Sequence, residues 1–190
     1  MNVPNRVVET VIASTAEHMQ QIFAIRGAVF LSEQNCPYEE EFDGNDYCAT
    51  HVIGTVDGHP AAVIRCRYFA SFAKLERLAV LRPYRGTPVT RAVIEAAFEI
   101  CRRKGYEHVY GHSQSRLVGF WQKFGFRPVP RNTKLVFSDH EYVEILADLA
   151  PHAAPITMAS DPYLIIRPEG AWDAPGILER STERPATNPY

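Results

Sequence analysis

Two kinds of hydrophobic periodicity alternate along this chain of 190 residues. Valine, isoleucine and threonine dominate residues 7–13, which is typical of a short strand. Apolar side chains then recur every three or four positions from residue 19, and Ser14 or Thr15 precedes them as a candidate N-cap. The pattern predicts a helix that runs to about Glu33, because Pro37 disfavours helical backbone in the residue before it.

Residues 48–56, 60–69 and 74–81 show the shorter period of strands. Asp57-Gly58 lies between the first two runs and is a strong signal for a tight hairpin. The third run is predicted to extend this antiparallel meander. Strict alternation places its side chains on two opposite faces, with Lys74, Glu76, Leu78 and Val80 on one and Leu75, Arg77, Ala79 and Leu81 on the other.

Helical spacing returns at Val89 and continues to about Lys104, where basic residues occupy the last turn and Gly105 follows. Residues 107–112 are predicted as a strand, residues 115–124 as a shorter helix, and residues 127–130 and 141–149 as the last strands. The resulting order of elements, β-α-β-β-β-α-β-α-β-β, favours an α/β fold in which helices flank one mixed sheet.

The character of the sequence changes at residue 151, where proline becomes frequent. We therefore predict a main domain over residues 1–150 and a C-terminal extension over residues 151–190 that is partly extended and partly mobile. Within the extension only residues 163–167 have the pattern of a strand. Its apolar residues Tyr163, Ile165 and Trp172 are candidates for pairing with a sheet edge or with a second subunit, so a homodimer is one expectation.

Composition narrows the classes of partner. The hydrophobic fraction of 46% is enough for a proper core, and the formal net charge is -2. No basic stripe is visible, so we expect neither nucleic acid nor a membrane as a partner. The first ten residues lack the pattern of a secretion signal, and no apolar run approaches the roughly 20 residues of a membrane span, which favours a cytoplasmic protein.

The four cysteines are far apart and form no CxxC pair, so no metal site is expected. Cys66 and Cys101 fall in apolar patterns and are predicted as small core residues.

The most informative segment is the one that joins the strand at residues 74–81 to the helix at Val89. A helix N-terminus offers unpaired amides and partial positive charge, and Arg85 adds a formal charge beside it. A tight loop that opens directly into a helix therefore suits a pyrophosphate group. The alternative is an ordinary connection between a strand and a helix.

The same segment resembles the acyl-CoA signature of the GNAT superfamily, in which an apolar-Ala-Val strand end precedes Pro-x-x-Arg-Gly-x-Gly-x-Gly/Ala. The resemblance implies a GNAT acyl-CoA N-acyltransferase fold, with a mixed, mostly antiparallel central sheet flanked by helices. It implies acetyl-CoA or another acyl-CoA as co-substrate, and no metal. The residues expected to bind it are Leu78, Ala79, Val80, Arg85, Gly86, Thr87, Pro88, Val89, Thr90 and Arg91.

Two positions depart from that signature, since Pro88 and Thr90 stand where GNAT proteins have glycine. Proline has no amide to give to a phosphate, so one donor of the usual cradle is missing. We expect the cradle to use the amides of Gly86, Thr87, Val89, Thr90 and Arg91.

A second match covers residues 114–126, where GNAT proteins commonly have Asn-x-x-Ala-x-x-Phe-Tyr-x-x-x-Gly-Phe. Gln114 takes the asparagine position and Phe120 agrees with the frame. The resemblance makes Gln114, Phe120 and Trp121 expected cofactor contacts. Trp121 replaces the tyrosine that often protonates the departing thiolate, and an indole cannot act as that acid. The alternative for Trp121 is a plain core residue.

A third match, over residues 26–46, resembles the ElaA-like branch of the superfamily, with Arg-x-x-Val-Phe-x-x-Glu-Gln-x-Cys-Pro-Tyr followed by Asp-Gly-x-Asp. The segment also resembles acyl-homoserine-lactone synthases, which share the fold and have an arginine where Arg77 stands. A tryptophan that these synthases have near position 36 is absent. From the two resemblances, Arg26, Phe30, Glu33 and Arg77 are expected to bind substrate.

Direct acyl transfer from a thioester to an amine needs a base, a group that polarises the carbonyl and an acid for the thiolate. The expected polariser is an amide near Leu78 or Val80. Glu76 and His112 are the candidate bases, with His51 and Glu33 as further alternatives. The functional hypotheses are an N-acetyltransferase acting on the amine of a small molecule or peptide, an acyltransferase for longer chains, and a non-catalytic CoA-binding module.

Charged residues leave the acceptor open. The acidic segment over residues 39–46 could attract a cationic amine, or it could be a solvated loop. Arg65 and Arg67 could instead bind a carboxylate or an additional phosphate.

Overall fold

One mixed sheet of eight strands organises the computed structural model, which describes residues 6–130 and 135–188. The strands are β1 Val8–Ile12, β2 Thr50–Val56, β3 His59–Tyr68, β4 Ala73–Val80, β5 His108–Gln114, β6 Arg127–Pro128, β7 Leu135–Phe137 and β8 His140–Asp148. Their order across the sheet is β1-β2-β3-β4-β5-β8-β6, and β7 pairs with β8. Residues 1–5, 131–134 and 189–190 lie outside the description, and with them parts of the N-terminal segment and of the C-terminal extension.

Helices cover both faces of the sheet. They are α1 Ala16–Arg26, the π-helix Gly27–Glu33, α2 Tyr38–Glu41, α3 Val89–Arg103, α4 Val118–Gln122 and α5 Pro162–Ile165. The predicted mixed, mostly antiparallel sheet flanked by helices is confirmed, since β4–β5 is the parallel pair among these strands. No helix in the described part of the chain is long and apolar enough to span a membrane.

Two apolar clusters lie on opposite faces of the sheet. The larger joins α3 to β2, β3 and β5, and includes the fully buried residues Val52, Ile64 and Val93. The smaller joins α1 to the other face through residues such as Ile22 and Val63. Cys66 and Cys101 are fully buried in the larger cluster, as their apolar surroundings in the sequence predict.

The predicted first helix has the expected length but changes its geometry halfway. Thr15 is its N-cap, and its Oγ1 accepts a hydrogen bond from the His18 amide at 3.1 Å. After Arg26 the backbone continues as a π-helix to Glu33. Such wider turns are rare and often lie at functional sites, and nothing in the apolar spacing distinguishes them from an α-helix.

The parallel pairing of β4 with β5 is short. It joins only Ala73–Leu75 to Val109–Gly111, while both strands run on, β4 to Val80 and β5 to Gln114. The C-terminal halves of these strands therefore border a cleft instead of each other.

A β-bulge interrupts β4 at the edge of this cleft. Arg77 and Leu78 stand between the pairs that join Glu76 and Ala79 to β3, where β3 contributes a single residue. Arg77 accordingly has φ +56°, a conformation that is uncommon for any residue but glycine.

The bulge corrects the alternation predicted for β4. Beyond it Leu78 packs against the larger cluster and Ala79 belongs to the smaller one. Glu76 instead shares the face of its β3 partner Arg65. Glu76 and Leu78 thus lie on opposite faces, because the extra residue reverses the alternation that the sequence pattern assumes.

The C-terminal extension packs against the main domain. Residues 163–167, predicted as a strand, contain the end of α5, whose first turn has Pro162 and a cap from Asp161 to the Tyr163 amide at 2.8 Å. Trp172 is only 7% exposed and belongs to the larger cluster of its own chain, so its indole is not available to a second subunit. Glu169 accepts hydrogen bonds from Lys104 at 2.9 Å and from Thr50 at 2.9 Å.

The close approach of α3 to β2 yields a stability prediction. A Cβ at Gly54 would lie 2.6 Å from side-chain carbons of both Val89 and Val93. Gly54→Ala should therefore lower the free energy of unfolding by about 1–3 kcal/mol, measured by urea denaturation. Gly27→Ala is the control, because a Cβ added at Gly27 would meet no other part of the protein within 4 Å, and its φ of -59° is helical. An unchanged urea midpoint in Gly54→Ala would contradict this prediction and show that α3 can shift away from β2 at little cost.

Candidate active site

A cavity of about 460 Å³ occupies the cleft where β4 and β5 diverge. Residues from the π-helix, α2, α4 and β7 complete its wall. Eight residues predicted from the sequence line it: Phe30, Glu76, Arg77, Leu78, His112, Gln114, Phe120 and Trp121. The structure therefore brings together groups that come from three separate sequence motifs.

His112 lies on the cavity wall at the end of β5. Its Nε2 is 2.8 Å from the hydroxyl of Tyr110, which donates a hydrogen bond to Glu144 Oε1 at 2.6 Å. Burial, followed by the positive charge of Lys74, lowers the pKa of His112 below its usual value. The imidazole is therefore neutral at physiological pH, which is the state that a base requires.

Glu76 lies in the same cavity but is surrounded by cations. Its carboxylate is 2.8 Å from Lys74 Nζ and 3.1 Å from Arg65 Nη2. Burial alone would raise the pKa of Glu76, but the hydrogen bond from Lys74 and the charge of Arg65 outweigh it, so that the pKa is lowered. Such a carboxylate is a weak base, so Glu76 is less suited than His112 to act as the general base.

Arg26, which the resemblance predicts to bind substrate, lies in the protein interior away from the cavity wall. Its guanidinium is fully buried and bonds the side chains of Glu41 and Asp46, and Nη2 also donates to the Glu41 carbonyl at 2.8 Å. The described part of the cavity wall does not include it. The motif that contains Arg26 therefore includes a residue of an internal ion pair. Residue types alone cannot distinguish such a residue from a group that binds substrate.

Part of the acidic segment is folded inward: Glu41 and Asp46 are buried, while Glu39 and Glu40 remain exposed. Arg65 binds Asp43 with both terminal nitrogens, at 2.8 and 2.6 Å, and Asp46 at 2.9 Å. Arg77 Nε lies 3.0 Å from Glu41 Oε2, and its Nη2 lies 3.2 Å from Asp43. We call these side chains the ion network, namely Arg26, Arg65, Arg77, Glu41, Asp43, Asp46 and Glu76.

The ion network removes Asp43, Asp46 and Arg65 from the groups suggested for the acceptor, while Glu40 still borders the cavity. The charges of Asp43 and Asp46 are neutralised within the protein, so they do not form an open cationic-amine site. Arg65 is fully buried and bound to carboxylates, so it is not available to a substrate carboxylate or phosphate. Arg77 still borders the cavity while it holds the acidic segment.

The alternative bases lie elsewhere. His51 is buried, and its Nε2 is 3.0 Å from the Asp46 carbonyl, beside the ion network. Glu33 bonds Arg85 Nη2 at 2.6 Å. In the part of the chain that the structure describes, neither residue contributes to the cavity wall.

The loop that joins β4 to α3 has the geometry of a helix N-terminus, with Pro88 at the cap position. The Ala92 amide donates to the Pro88 carbonyl at 3.0 Å, which closes the first helical turn. Val89, Thr90 and Arg91 therefore lie in the turn whose amides point out of the helix end. Gly86 has φ +81°, a left-handed conformation that glycine adopts without strain.

Thr87 is committed to the turn itself. Its amide donates to the Tyr84 carbonyl at 3.2 Å and its hydroxyl donates to the same oxygen at 2.7 Å. The predicted cradle thus loses the Thr87 amide, because the preceding 3₁₀ turn at Arg82–Tyr84 uses it. Gly86, Val89, Thr90 and Arg91 remain as the candidate donors.

Arg85 is held at the end of β4. Its Nε donates to the Val80 carbonyl at 3.0 Å, and its Nη2 binds Glu33 on the π-helix. The guanidinium is still 45% exposed, so a second anion can approach it. Glu33 therefore lies beside the predicted phosphate site and competes there for Arg85.

The α4 side of the cavity is aromatic. Trp121 packs edge-on against Phe120 and Phe126, at centroid distances of 5.3 and 5.1 Å. It also borders the cavity, so the structure combines both alternatives for Trp121. Gln114 is buried beside it on β5, and its Nε2 is 3.3 Å from the Tyr142 hydroxyl.

Sequence reasoning missed several residues of the site. Tyr110, Tyr142 and Glu144 come from the face of β5 and β8 that bears His112, and Gln34 and Ser138 border the cavity. Residues 110, 112 and 114 alternate along β5, so the sequence pattern already places Tyr110 on the same face as His112 and Gln114. The pairing of β5 with β8 joins residues more than 25 positions apart, and no local pattern reveals it.

The ion network yields a prediction about stability and pH. Asp46→Asn removes a carboxylate shared by Arg26 and Arg65, and the loss of a partner from a buried pair costs about 3–5 kcal/mol of unfolding free energy. Burial opposes ionisation of Asp43 and Asp46, but hydrogen bonds from Arg65 and Arg26 outweigh it and hold the pKa of each below its usual value.

The sign of the pH effect follows from those lowered pKa values. The unfolded state takes up these protons first, so the contribution is complete above the unfolded pKa of about 3.9 and declines as pH falls below it. Urea unfolding between pH 7 and pH 3 should show a smaller acid loss in Asp46→Asn than in the unaltered protein. Asp173→Asn is the matched control, since Asp173 is 88% exposed. Equal losses in both variants would contradict the assignment.

Comparison with known proteins agrees with this geometry. The model of the acetyltransferase (GNAT) family matches residues 19–126. Protein ElaA of Escherichia coli is 31% identical over 123 residues, which are 60% of this chain and 78% of ElaA. The uncharacterized N-acetyltransferase YjcF of Bacillus subtilis is 28% identical over 137 residues, covering 72% of this chain and 92% of YjcF.

Solved structures show the same fold. The crystal structure of Escherichia coli ElaA has a TM-score of 0.65 at 24% identity, covering 74% of this chain and 99% of that one. An acyl-CoA N-acyltransferase from Pseudomonas aeruginosa has a TM-score of 0.67 at 21% identity, with coverage of 74% and 99%. The chain therefore belongs to the GNAT acetyltransferase family and lies in its ElaA-like branch.

Proposed function

We propose that this protein is a cytoplasmic N-acetyltransferase that moves an acetyl group from acetyl-CoA to an amine of a small molecule or peptide by direct attack. The observation that carries the proposal is the cavity between the diverging strands β4 and β5. A helix N-terminus preceded by Arg85 follows β4 along the chain, and a neutral imidazole lies on the cavity wall.

The pyrophosphate of the cofactor binds at the start of α3. The amides of Gly86, Val89, Thr90 and Arg91 donate hydrogen bonds to its oxygens. Arg85, which also pairs with Glu33, donates a charged hydrogen bond to the phosphate. Leu78, Gln114, Phe120 and Trp121 border the cavity and contact the arm that carries the thioester.

The bulge in β4 supplies the polariser. A bulged residue leaves the hydrogen-bonded ladder, so an amide at Arg77–Leu78 is released towards the cleft. That amide donates to the thioester carbonyl and stabilises the oxyanion that forms when the amine attacks. Ala79 and Val80 hold the strand in place through the apolar clusters on its two faces.

His112 is the base of the reaction. It removes a proton from the acceptor ammonium, and the amine then attacks the thioester. Glu76 is too strongly paired with Lys74 and Arg65 to take this role, and its charge instead favours a cationic acceptor near His112. Phe30 and Arg77 border the acceptor side of the cavity.

Cofactor binding is tested with Arg85. Acetyl-CoA at 100 times its dissociation constant should raise the unfolding free energy by about 2.7 kcal/mol, measured as a thermal shift. Arg85→Gln should weaken binding about tenfold or more, since it removes a charged hydrogen-bond donor. Arg102→Gln is the control, because Arg102 lies at the opposite end of α3 and pairs with Glu99.

The same titration with CoA and octanoyl-CoA decides between the classes of function. A clear preference for octanoyl-CoA would favour the acyltransferase for longer chains. If none of the three ligands stabilised the protein at millimolar concentration, acyl transfer would be refuted.

Catalysis is tested with His112→Gln. Loss of a general base should lower kcat/KM about 10²–10⁴-fold at pH 7, measured as thiol release with a panel of amines. The dissociation constant of acetyl-CoA should stay unchanged, because His112 contacts the acceptor side. His108→Gln is the matched control, since His108 is exposed at the other end of β5 and binds Asp148. Full activity in His112→Gln would remove His112 from the mechanism.

A further inference from the structure

Three side chains from two strands form a hydrogen-bonded chain that ends at the cavity. Tyr110 and His112 are two residues apart on β5 and so share a face, and Glu144 is the β8 residue directly opposite His112. The Tyr110 hydroxyl lies 2.8 Å from His112 Nε2 and 2.6 Å from Glu144 Oε1. Both distances are those of well-formed hydrogen bonds.

The number of protons in this chain fixes its direction. An ionised carboxylate can only accept, so Tyr110 gives its one proton to Glu144. The tyrosine oxygen can then only accept from the imidazole, which places the His112 proton on Nε2. We propose that Tyr110 and Glu144 are positioning residues that hold His112 in the Nε2–H tautomer and leave Nδ1 as the atom that deprotonates the acceptor.

This inference rests on the proposed function, and it assigns a role to two residues that do not touch the reacting atoms. In the reaction, Nδ1 takes one proton from the acceptor ammonium. The amine nitrogen then forms a bond to the thioester carbon, and the carbon–sulfur bond breaks with its electron pair on sulfur. The nitrogen loses its second proton to the thiolate, which becomes the CoA thiol, and the imidazolium releases the first proton to solvent, so protons and charges balance.

The charged groups around His112 support a switchable base. Lys74 and Glu76 face it from β4 and Glu144 faces it from β8, while Phe137 of β7 is an uncharged ring at 5.7 Å. Burial and Lys74 lower the pKa of His112, whereas Glu144 and Glu76 raise it. When the imidazolium forms, Tyr110 still accepts from Nε2 and links the new charge to Glu144.

The tautomer is tested first in the resting protein, without any substrate. Long-range proton–nitrogen NMR on ¹⁵N-labelled protein, with His112 assigned by His112→Gln, should show a neutral Nε2–H imidazole at pH 7. Tyr110→Phe should abolish that preference, and its matched control Tyr47→Phe should not, because Tyr47 is 88% exposed. An Nδ1–H imidazole, or one unaffected by Tyr110→Phe, would overturn the proposal.

The titration of His112 is tested by moving its neighbours' charges. Glu144→Gln should shift the midpoint to lower pH, and Lys74→Met should shift it to higher pH, in the NMR titration and in the acid limb of kcat/KM alike. Glu107→Gln, at an exposed carboxylate before β5, should move neither. If Glu144→Gln keeps an intact unfolding transition and leaves the midpoint of the His112 titration unchanged, the proposal is also overturned.

The proposed function and the positioning role of Tyr110 can fail independently. If the NMR result holds and no amine is acylated by the unaltered protein, the proposed function fails while the tautomer stands. If the protein is active and Tyr110→Phe retains full kcat/KM at every pH, the positioning role fails while the acetyltransferase stands. The positioning role predicts that Tyr110→Phe lowers kcat/KM about tenfold or more and leaves the dissociation constant of acetyl-CoA unchanged.

Discussion

The ion network is the constraint on which the site depends. Arg26, Arg65 and Arg77 come from α1, β3 and β4, and they bind carboxylates of one short segment between α1 and β2. A buried charge without a partner is costly, so the segment cannot leave the sheet while the arginines stay inside. Because Glu41 and Asp43 of this segment also border the cavity, the network that neutralises the arginines positions one wall of the site.

The same network explains why the bulge in β4 persists. Arg77 has a left-handed backbone conformation that would be unfavourable in isolation. Its guanidinium, however, is held by Glu41 and Asp43, which lie on the acidic segment. The ion pairs thus offset the local strain at the bulge, which is where the proposed polarising amide lies. Structure in the acidic segment and chemistry in β4 are therefore coupled through one side chain.

Local patterns predicted the elements well and their partners poorly. Thr15, the Asp57-Gly58 hairpin and the loop at Gly86 each act within a few residues, and each lies where its sequence signal indicated.

The buried charges are harder to predict. The sequence alone favours Arg26 and Arg65 as groups that bind ligands, since a sequence shows charges without showing what neutralises them. The bulge and the π-helix also escaped prediction, because the pattern assumes one regular spacing throughout each strand and helix. Motif resemblance predicted the cofactor contacts, most of which lie in the segment from β4 to α3. It was less informative on the acceptor side, where side chains from β5 and β8 meet.

Charge differs in kind between the start of α3 and the β5 end of the cavity. At the start of α3, Arg85 is partly exposed and the first-turn amides point outwards, so the proposed cofactor phosphate meets positive potential there. At the β5 end, Lys74 is bound to Glu76, and His112 is connected through Tyr110 to Glu144. In the proposed reaction, an acceptor ammonium that enters there meets carboxylates on both sides of a neutral imidazole. The loss of its proton to His112 moves the positive charge onto the ring without removing it from that environment. The proposed amine nucleophile therefore forms where its counter-charges already lie.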